Sequence, residues 1–203
     1  MKKYELTEET KVIDGKTLFR IRALRSFGDI KAGDLGGFIE NERNLSHGGN
    51  AWVGDNAQVG GNAEVYGDAQ VVGYARVGGY ARVGGYARVG GYARVDGDAW
   101  VGGDAWVGDN AQVGGNAQVG GDAWVDGDAW VDGDGLINSN NDYLCEKGLG
   151  SHNRSASFFK CKDGHIHVLC GCFSGNLDEF ENKVKEEHGN SKYCLLYTSD
   201  AAD

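Results

Sequence analysis

The chain has 203 residues, 35 of them glycine and none proline, with a formal net charge of −10. Glycine far exceeds the usual level of about 7 %, yet no Gly-X-Y triplet is present, which excludes collagen. The charged fraction is 25% and the hydrophobic fraction 40%, a balance that does not fit disorder.

The acidic balance argues against general nucleic-acid binding and against attraction to anionic membranes. No stretch approaches the roughly 18 apolar residues of a membrane span. The opening Met1-Lys2-Lys3 is followed by the polar segment YELTEETK, so no signal-peptide apolar region follows. The five cysteines all lie in the last third of the chain. They form no spaced secretory framework, which points to a cytoplasmic setting.

Residues 1–49 are expected to form an N-terminal β cap. Thr17–Ala23 (TLFRIRA) reads as a strand. Gly28–Glu40 reads as a glycine-rich irregular strand and turn, with Leu35, Phe38 and Ile39 expected in the core.

From Asn50 to Gly133 the sequence follows a hexapeptide repeat. Ala stands at position 51 and at each sixth position to 129, with Val two places later, in 14 repeats without exception. The unit is Gly-(Asn/Asp/Tyr)-Ala-x-Val-x. Ala and Val, two apart, point to one side of a short strand and the intervening residue to the other. The Gly-Asn or Gly-Asp pair supplies a corner, because Gly tolerates positive φ and Asn or Asp bonds its own backbone. Strands this short must be stacked by coiling, with like positions about 4.8 Å apart. Proline is absent because each internal rung needs its N–H. Leu45/His47 and Gly135/Ile137 read as decayed repeats, so the solenoid is placed at 50–137.

Residues 138–193 read as a ββα module. SFFKCK and HIHVLCGCF flank an Asp163-Gly164 turn signal. Asn176, with Glu179 three places on, is a helix-capping pair. The helix is expected at Leu177–His188, ending at Gly189 and burying Leu177, Phe180 and Val184. Residues 194–203 (CLLYTSDAAD) resemble a translated sequencing-library adapter and are set aside as a non-native tail.

Read from Val, the unit becomes Val-(Gly/Asp)-x-x-Ala-x, which resembles the hexapeptide repeat of the left-handed parallel β-helix superfamily, best known from acyltransferases. That resemblance implies a mainly β fold, a triangular solenoid with three hexapeptides per coil. The 14 repeats then make between four and five coils. The segments RIRAL, FGDIKAGDLGGFIE and NLSHGGNAWV, with Cys170-Gly171-Cys172-Phe173 and the acidic helix after it, resemble a family of uncharacterised bacterial and prophage hexapeptide-repeat proteins. That likeness carries fold and not chemistry.

Acyltransfer is therefore the alternative function, and such enzymes need a general base, usually His. No His lies between Gly48 and Ser151 and no Lys between Ala32 and Glu146. His47, at the solenoid edge, is the sole catalytic candidate, and a capping role fits it better. Cys161, His165, His167, Cys170 and Cys172 lie close together in the sequence. Strand alternation, however, sets Cys170 and Cys172 opposite His165 and His167, and no CxxC is present. Cys161, His167, Cys170 and Cys172 are kept as metal candidates beside the simpler reading of buried thiols, and no cofactor is implied. Asp96, Asp98, Asp126, Asp128 and Asp132 fall in corner slots and read as turn chemistry.

The outward positions carry all five Trp. With three repeats per coil, Trp52, Gln70, Arg88, Trp106 and Trp124 stack on one face. Gln58, Arg76, Arg94, Gln112 and Trp130 stack on another. Exposed indoles mark interfaces, and rungs of Trp, Arg and Tyr also steady one another. The preferred function is non-catalytic: a structural or interaction protein using Trp52, Arg76, Arg88, Arg94, Trp106, Trp124 and Trp130. Its expected partner is a second copy, as a trimer in the superfamily manner, or another protein or carbohydrate.

Overall fold

The computed structural model describes residues 2–149 and 154–188. Strands β1 (Tyr4–Ile13) and β2 (Lys16–Ala23) form an antiparallel hairpin closed by Asp14-Gly15, both at positive φ. Such a pair matches the right-handed twist of its flanking strands. β3 (Leu35–Ile39) pairs antiparallel with β2 on one side and parallel with the coils on the other, and so hands the hairpin to the solenoid.

From there, two-residue strands recur at every sixth position. They run from Trp52–Val53 (β4) and Gln58–Val59 (β5) to Trp130–Val131 (β17) and Leu136–Ile137 (β18). Each lies parallel to the strand three repeats away: Arg88 sits beside Gln70 and Trp106. Three parallel sheets result, β4-β7-β10-β13-β16, β6-β9-β12-β15-β18 and β5-β8-β11-β14-β17, the last continued by β3, β2 and β1. They wind into a β-solenoid of about six turns. That exceeds the four to five coils of the repeat alone. Phe38 pairs beside Gln58, Leu45 bridges Val65, and Leu136–Ile137 adds a rung, all without the Ala-x-Val pattern.

Every Ala and Val of the repeat is at most 2 % exposed and joins one continuous core. Each fully buried Val contributes about 1.5–3 kcal/mol before entropy is counted.

The ladder is polar. An N–H of one coil donates to a C=O of the next, as from Trp52 to Ala69 and from Gly102 to Val119, both 2.9 Å. Carbonyls of the first coil and amides of the last therefore lack coil partners, and buried orphans cost about 1–3 kcal/mol each. Side chains supply both sets. At the start, Lys3 Nζ donates to Ala51 O (2.7 Å), and Asn44 Nδ2 donates to Ala63 O (2.8 Å) and Gly61 O (3.2 Å). At the finish, Asn140 Oδ1 accepts from Trp124 N (2.7 Å) and Ser157 Oγ from Trp130 N (2.8 Å).

The C-terminal part is a four-stranded antiparallel sheet of β19 (Tyr143–Leu149), β20 (Arg154–Lys160), β21 (Ile166–Cys170) and β22 (Phe173–Asn176), followed by helix α1 (Leu177–His188). This corrects the single hairpin read from sequence. Tyr143–Leu149 continues out of the last coil to pair with β20, and the Gly171-Cys172 turn, with Gly171 at φ 61°, folds β22 back on β21. One face of the sheet closes the solenoid, with Phe159 1 % exposed in its core. The other face carries Val168 against Phe180 and Val184 of α1. Asn176 and Glu179 cap the helix reciprocally at 2.9 Å. Gly189 and the adapter-like segment 194–203 lie outside the described residues.

Two further corrections concern the N-terminal part. Leu35 is 53 % exposed, because it opens β3 before the strand reaches the coils, while Phe38 and Ile39 are fully buried. The polar segment after Tyr4 belongs to a long strand, β1. As the free edge of its sheet it needs no apolar face, and its charges discourage pairing with other chains.

Lys3 gives the N-terminal plug a pH signature. It is fully buried, and burial, with Arg25 nearby, lowers its pKa from 10.5 to about 8. Between those values the unfolded chain binds more protons than the folded one, so stability rises with pH across that window. The whole shift is worth up to about 3 kcal/mol. Tyr4 acts in the opposite sense. Burial raises its pKa above 10.0, so above that pH the unfolded chain loses its phenol proton first and stability falls. Urea midpoints should therefore climb above about pH 8 and turn over above about pH 10. Lys3→Met should abolish the climb.

Candidate functional site

The outward residues form three columns, one per sheet. The first runs Trp52, Gln70, Arg88, Trp106, Trp124 and the second Gln58, Arg76, Arg94, Gln112, Trp130. Both have the order expected from three repeats per coil. The third is Glu64, Arg82, Trp100, Gln118, Leu136.

In the first column the indoles of Trp106 and Trp124 stack with centroids 4.6 Å apart and planes 9° from parallel. They remain 40 % and 48 % exposed. Each covers one face of the other. Arg88 lies in the next rung. Trp52, at the start of the same column, differs: it is buried, with Phe27 set edge-on against it at 5.4 Å. It belongs to the N-terminal cap and does not extend the exposed strip.

In the second column Arg76 and Arg94 occupy adjacent rungs. Trp130, 42 % exposed, closes the column. The tip of hairpin β1–β2 overhangs it, and between them lies a cavity of about 360 Å³ lined by Lys16, Gln58, Arg76, Arg94, Gln112 and Trp130 among others. Like charges on neighbouring rungs repel. Even so, Arg76, Arg82, Arg88 and Arg94 make no ion pair or hydrogen bond among the described residues. Tyr74, Tyr80, Tyr86 and Tyr92, all exposed, precede these arginines by two, and Tyr74 stacks on Tyr92 at 5.2 Å. Since three repeats complete a turn, the Tyr-Ala-Arg-Val repeats encircle the solenoid on all three faces. In the third column Trp100 is half-buried and its Nε1 donates to Tyr66 Oη at 3.3 Å.

His47 stacks on Tyr4 at 4.4 Å, and its Nδ1 accepts the Lys3 backbone N–H at 3.2 Å. The ring proton is therefore on Nε2, and the lone pair a general base would use is occupied. Burial lowers the pKa of the imidazole. Its place is in the N-terminal plug. Asp96 and Asp132 each accept the amide of the following Gly, at 2.8 and 2.7 Å, which is turn chemistry, while Asp128 pairs with Lys147 at 3.0 Å.

The metal candidates are regrouped. Cys161, His165 and His167 each bring a ligand atom within 4.8 Å of the others. Cys170 and Cys172 are not among them: Cys170 packs on the helix side of the sheet with Val168, and Cys172 is exposed in the turn to β22. Alternation along one strand separated the cysteines from the histidines correctly for Cys170. Cys161, kept as a candidate, reaches the histidines across the hairpin, and His165, absent from the retained candidates, completes the group.

No protein-family model and no curated protein matches the chain. No helix among the described residues is long and apolar enough to cross a membrane.

Proposed function

We propose that the chain is a non-catalytic structural β-solenoid whose outer surface binds protein, in the first place a second copy of itself. The observation that carries this reading is the ring of arginines that make no ion pair or hydrogen bond among the described residues, set among exposed aromatics of which two pairs stack, on a chain with net charge −10. The guanidinium groups of Arg76 and Arg94 on adjacent rungs are relieved by carboxylates brought from outside, and Arg with Tyr and Trp is the composition enriched at interfaces. The later coils of another copy offer Asp98, Asp104, Asp122 and Asp126 at their corners. The hexapeptide resemblance supports a left-handed coil and a trimer. The cysteine pattern supports a cytoplasmic setting.

Sedimentation velocity over a range of protein concentrations and ionic strengths tests the proposal. The wild type is expected to self-associate more weakly as salt rises. Trp106→Ala with Trp124→Ala should raise the dissociation constant at least about tenfold, a loss of about 1.4 kcal/mol or more. Arg76→Gln with Arg94→Gln should remove the salt dependence. The indoles are exposed, so folding, read by circular dichroism, should survive. A wild-type chain that stays monomeric at every concentration, or an association indifferent to both double variants, overturns the proposal.

A further inference from the structure

We propose that Cys161, His165 and His167 form a zinc site at the junction between the C-terminal sheet and the end of the solenoid.

The argument begins with register. Phe159 pairs with His167 and Lys160 with Ile166 across β20 and β21. The ladder runs one step further, with Cys161 N donating to His165 O at 2.9 Å, and Lys162-Asp163-Gly164 makes the turn. Residues directly opposite on antiparallel strands share a face. Cys161, His165 and His167 are thus on one side of the hairpin, the side that closes the solenoid. Cys161 is 3 % exposed there, and Gly135 of the last coil bridges to it.

The donor set suits zinc. One thiolate and two imidazoles are borderline-soft ligands, and three protein ligands leave a fourth position for water. Ligand atoms round a tetrahedral zinc with bonds of about 2.0–2.3 Å stand roughly 3.3–3.7 Å apart. The ligand atoms here all lie within 4.8 Å of one another, close to that spacing. Outer partners are already placed. Asp163 Oδ1 is 2.5 Å from His165 Nδ1, and Ser174 Oγ is 3.0 Å from His167 Nε2. Zinc-bound imidazoles use such partners on their second nitrogen to fix tautomer and orientation. The two histidines also line a groove of about 720 Å³ with Asn176, Asp178 and Glu179 at the start of α1. A zinc ion here would tie the hairpin together beside the last coil.

The test uses the full chain, stripped with a chelator, dialysed, and titrated with zinc alone and with Co²⁺ as a spectroscopic probe. One ion per chain is expected, with a sulfur-to-cobalt charge-transfer band and a zinc-dependent rise in melting temperature. His165→Ala and His167→Ala should each weaken binding by more than the roughly 10–100-fold typical of losing an outer-shell partner, and Asp163→Asn should weaken it within that range. Cys161→Ser should remove the charge-transfer band, and Cys172→Ser should change nothing. His165 is exposed, so its variant keeps the fold and decides the matter if Cys161→Ser unfolds. Binding unchanged in His165→Ala, a cobalt spectrum without the thiolate band, or equal loss in Cys172→Ser overturns the site.

Discussion

Gly103→Ala is expected to destabilise the solenoid by about 2–4 kcal/mol, of which roughly 1–2 kcal/mol is the cost of a left-handed backbone for a residue with a side chain. Gly103 has φ +64°, and a Cβ there would stand 2.7 Å from Gly121 O and 2.9 Å from Gly121 N in the next coil. Both atoms are backbone, and Gly121 O is held in the ladder by the Asp104 amide at 2.8 Å, so the remaining cost is a strain that stacking cannot relax. The same corner slot recurs at every sixth position from 49 to 133 and always has positive φ. It is Gly except at Asp55 and Asp109, at φ 52° and 49°. Asp tolerates that region better than Ala, and Asp55 also accepts the Gly73 amide at 2.9 Å. Asp109→Gly should accordingly be neutral or stabilising by up to about 1 kcal/mol. Urea unfolding of the two variants beside wild type measures both. A Gly103→Ala midpoint equal to wild type would show that the corners yield, against this account.

Asn44→Ala is expected to cost about 2–4 kcal/mol, from the buried Ala63 carbonyl and the half-buried Gly61 carbonyl and Asn41 amide, with Arg43 still donating to Gly61 O and water partly compensating the rest. Asn44 is fully buried. Its amide holds Ala63 O and Gly61 O while its carbonyl accepts Asn41 N at 2.8 Å. Ser157→Ala at the opposite end orphans the single Trp130 amide and should cost about 1–3 kcal/mol. The two ends share no partner, so the double variant should show the sum within about 0.5 kcal/mol. Denaturation of the set measures this. Light scattering adds a second readout, because an uncapped coil offers open strand edges to other chains. If Asn44→Ala matched wild type in both, the side chain would not be a substitute for a missing coil.

The legibility of the molecule divides along the same physical line. Ala and Val two apart, with Gly before each corner, are enough to predict short strands that coil and stack, while three repeats per coil, and with it the order of the two columns, is what the hexapeptide resemblance implies. Asn176 and Glu179 announced the helix start. Hairpin β1–β2 was concealed by the polarity of Tyr4–Ile13, although Asp14-Gly15 is a strong turn signal. Trp52 reads like its four counterparts, yet Phe27, distant in pattern, covers it. Cys161 and the histidines stand near each other in sequence, but their shared face follows from the length of one turn, which sets the register.

What the sequence determines by itself is the repeated part, because there each local preference is restated 14 times and every restatement agrees with its neighbours. The terminal coils follow no such rule. Their orphan carbonyls and amides exist only once the chain has coiled, and Lys3, Asn44, Asn140 and Ser157 acquire their role from the groups they meet. The hairpin cluster of Cys161, His165 and His167 is likewise a product of pairing, since alternation within one strand does not say which residue of the next stands opposite, and the turn together with the packed faces fixes that register.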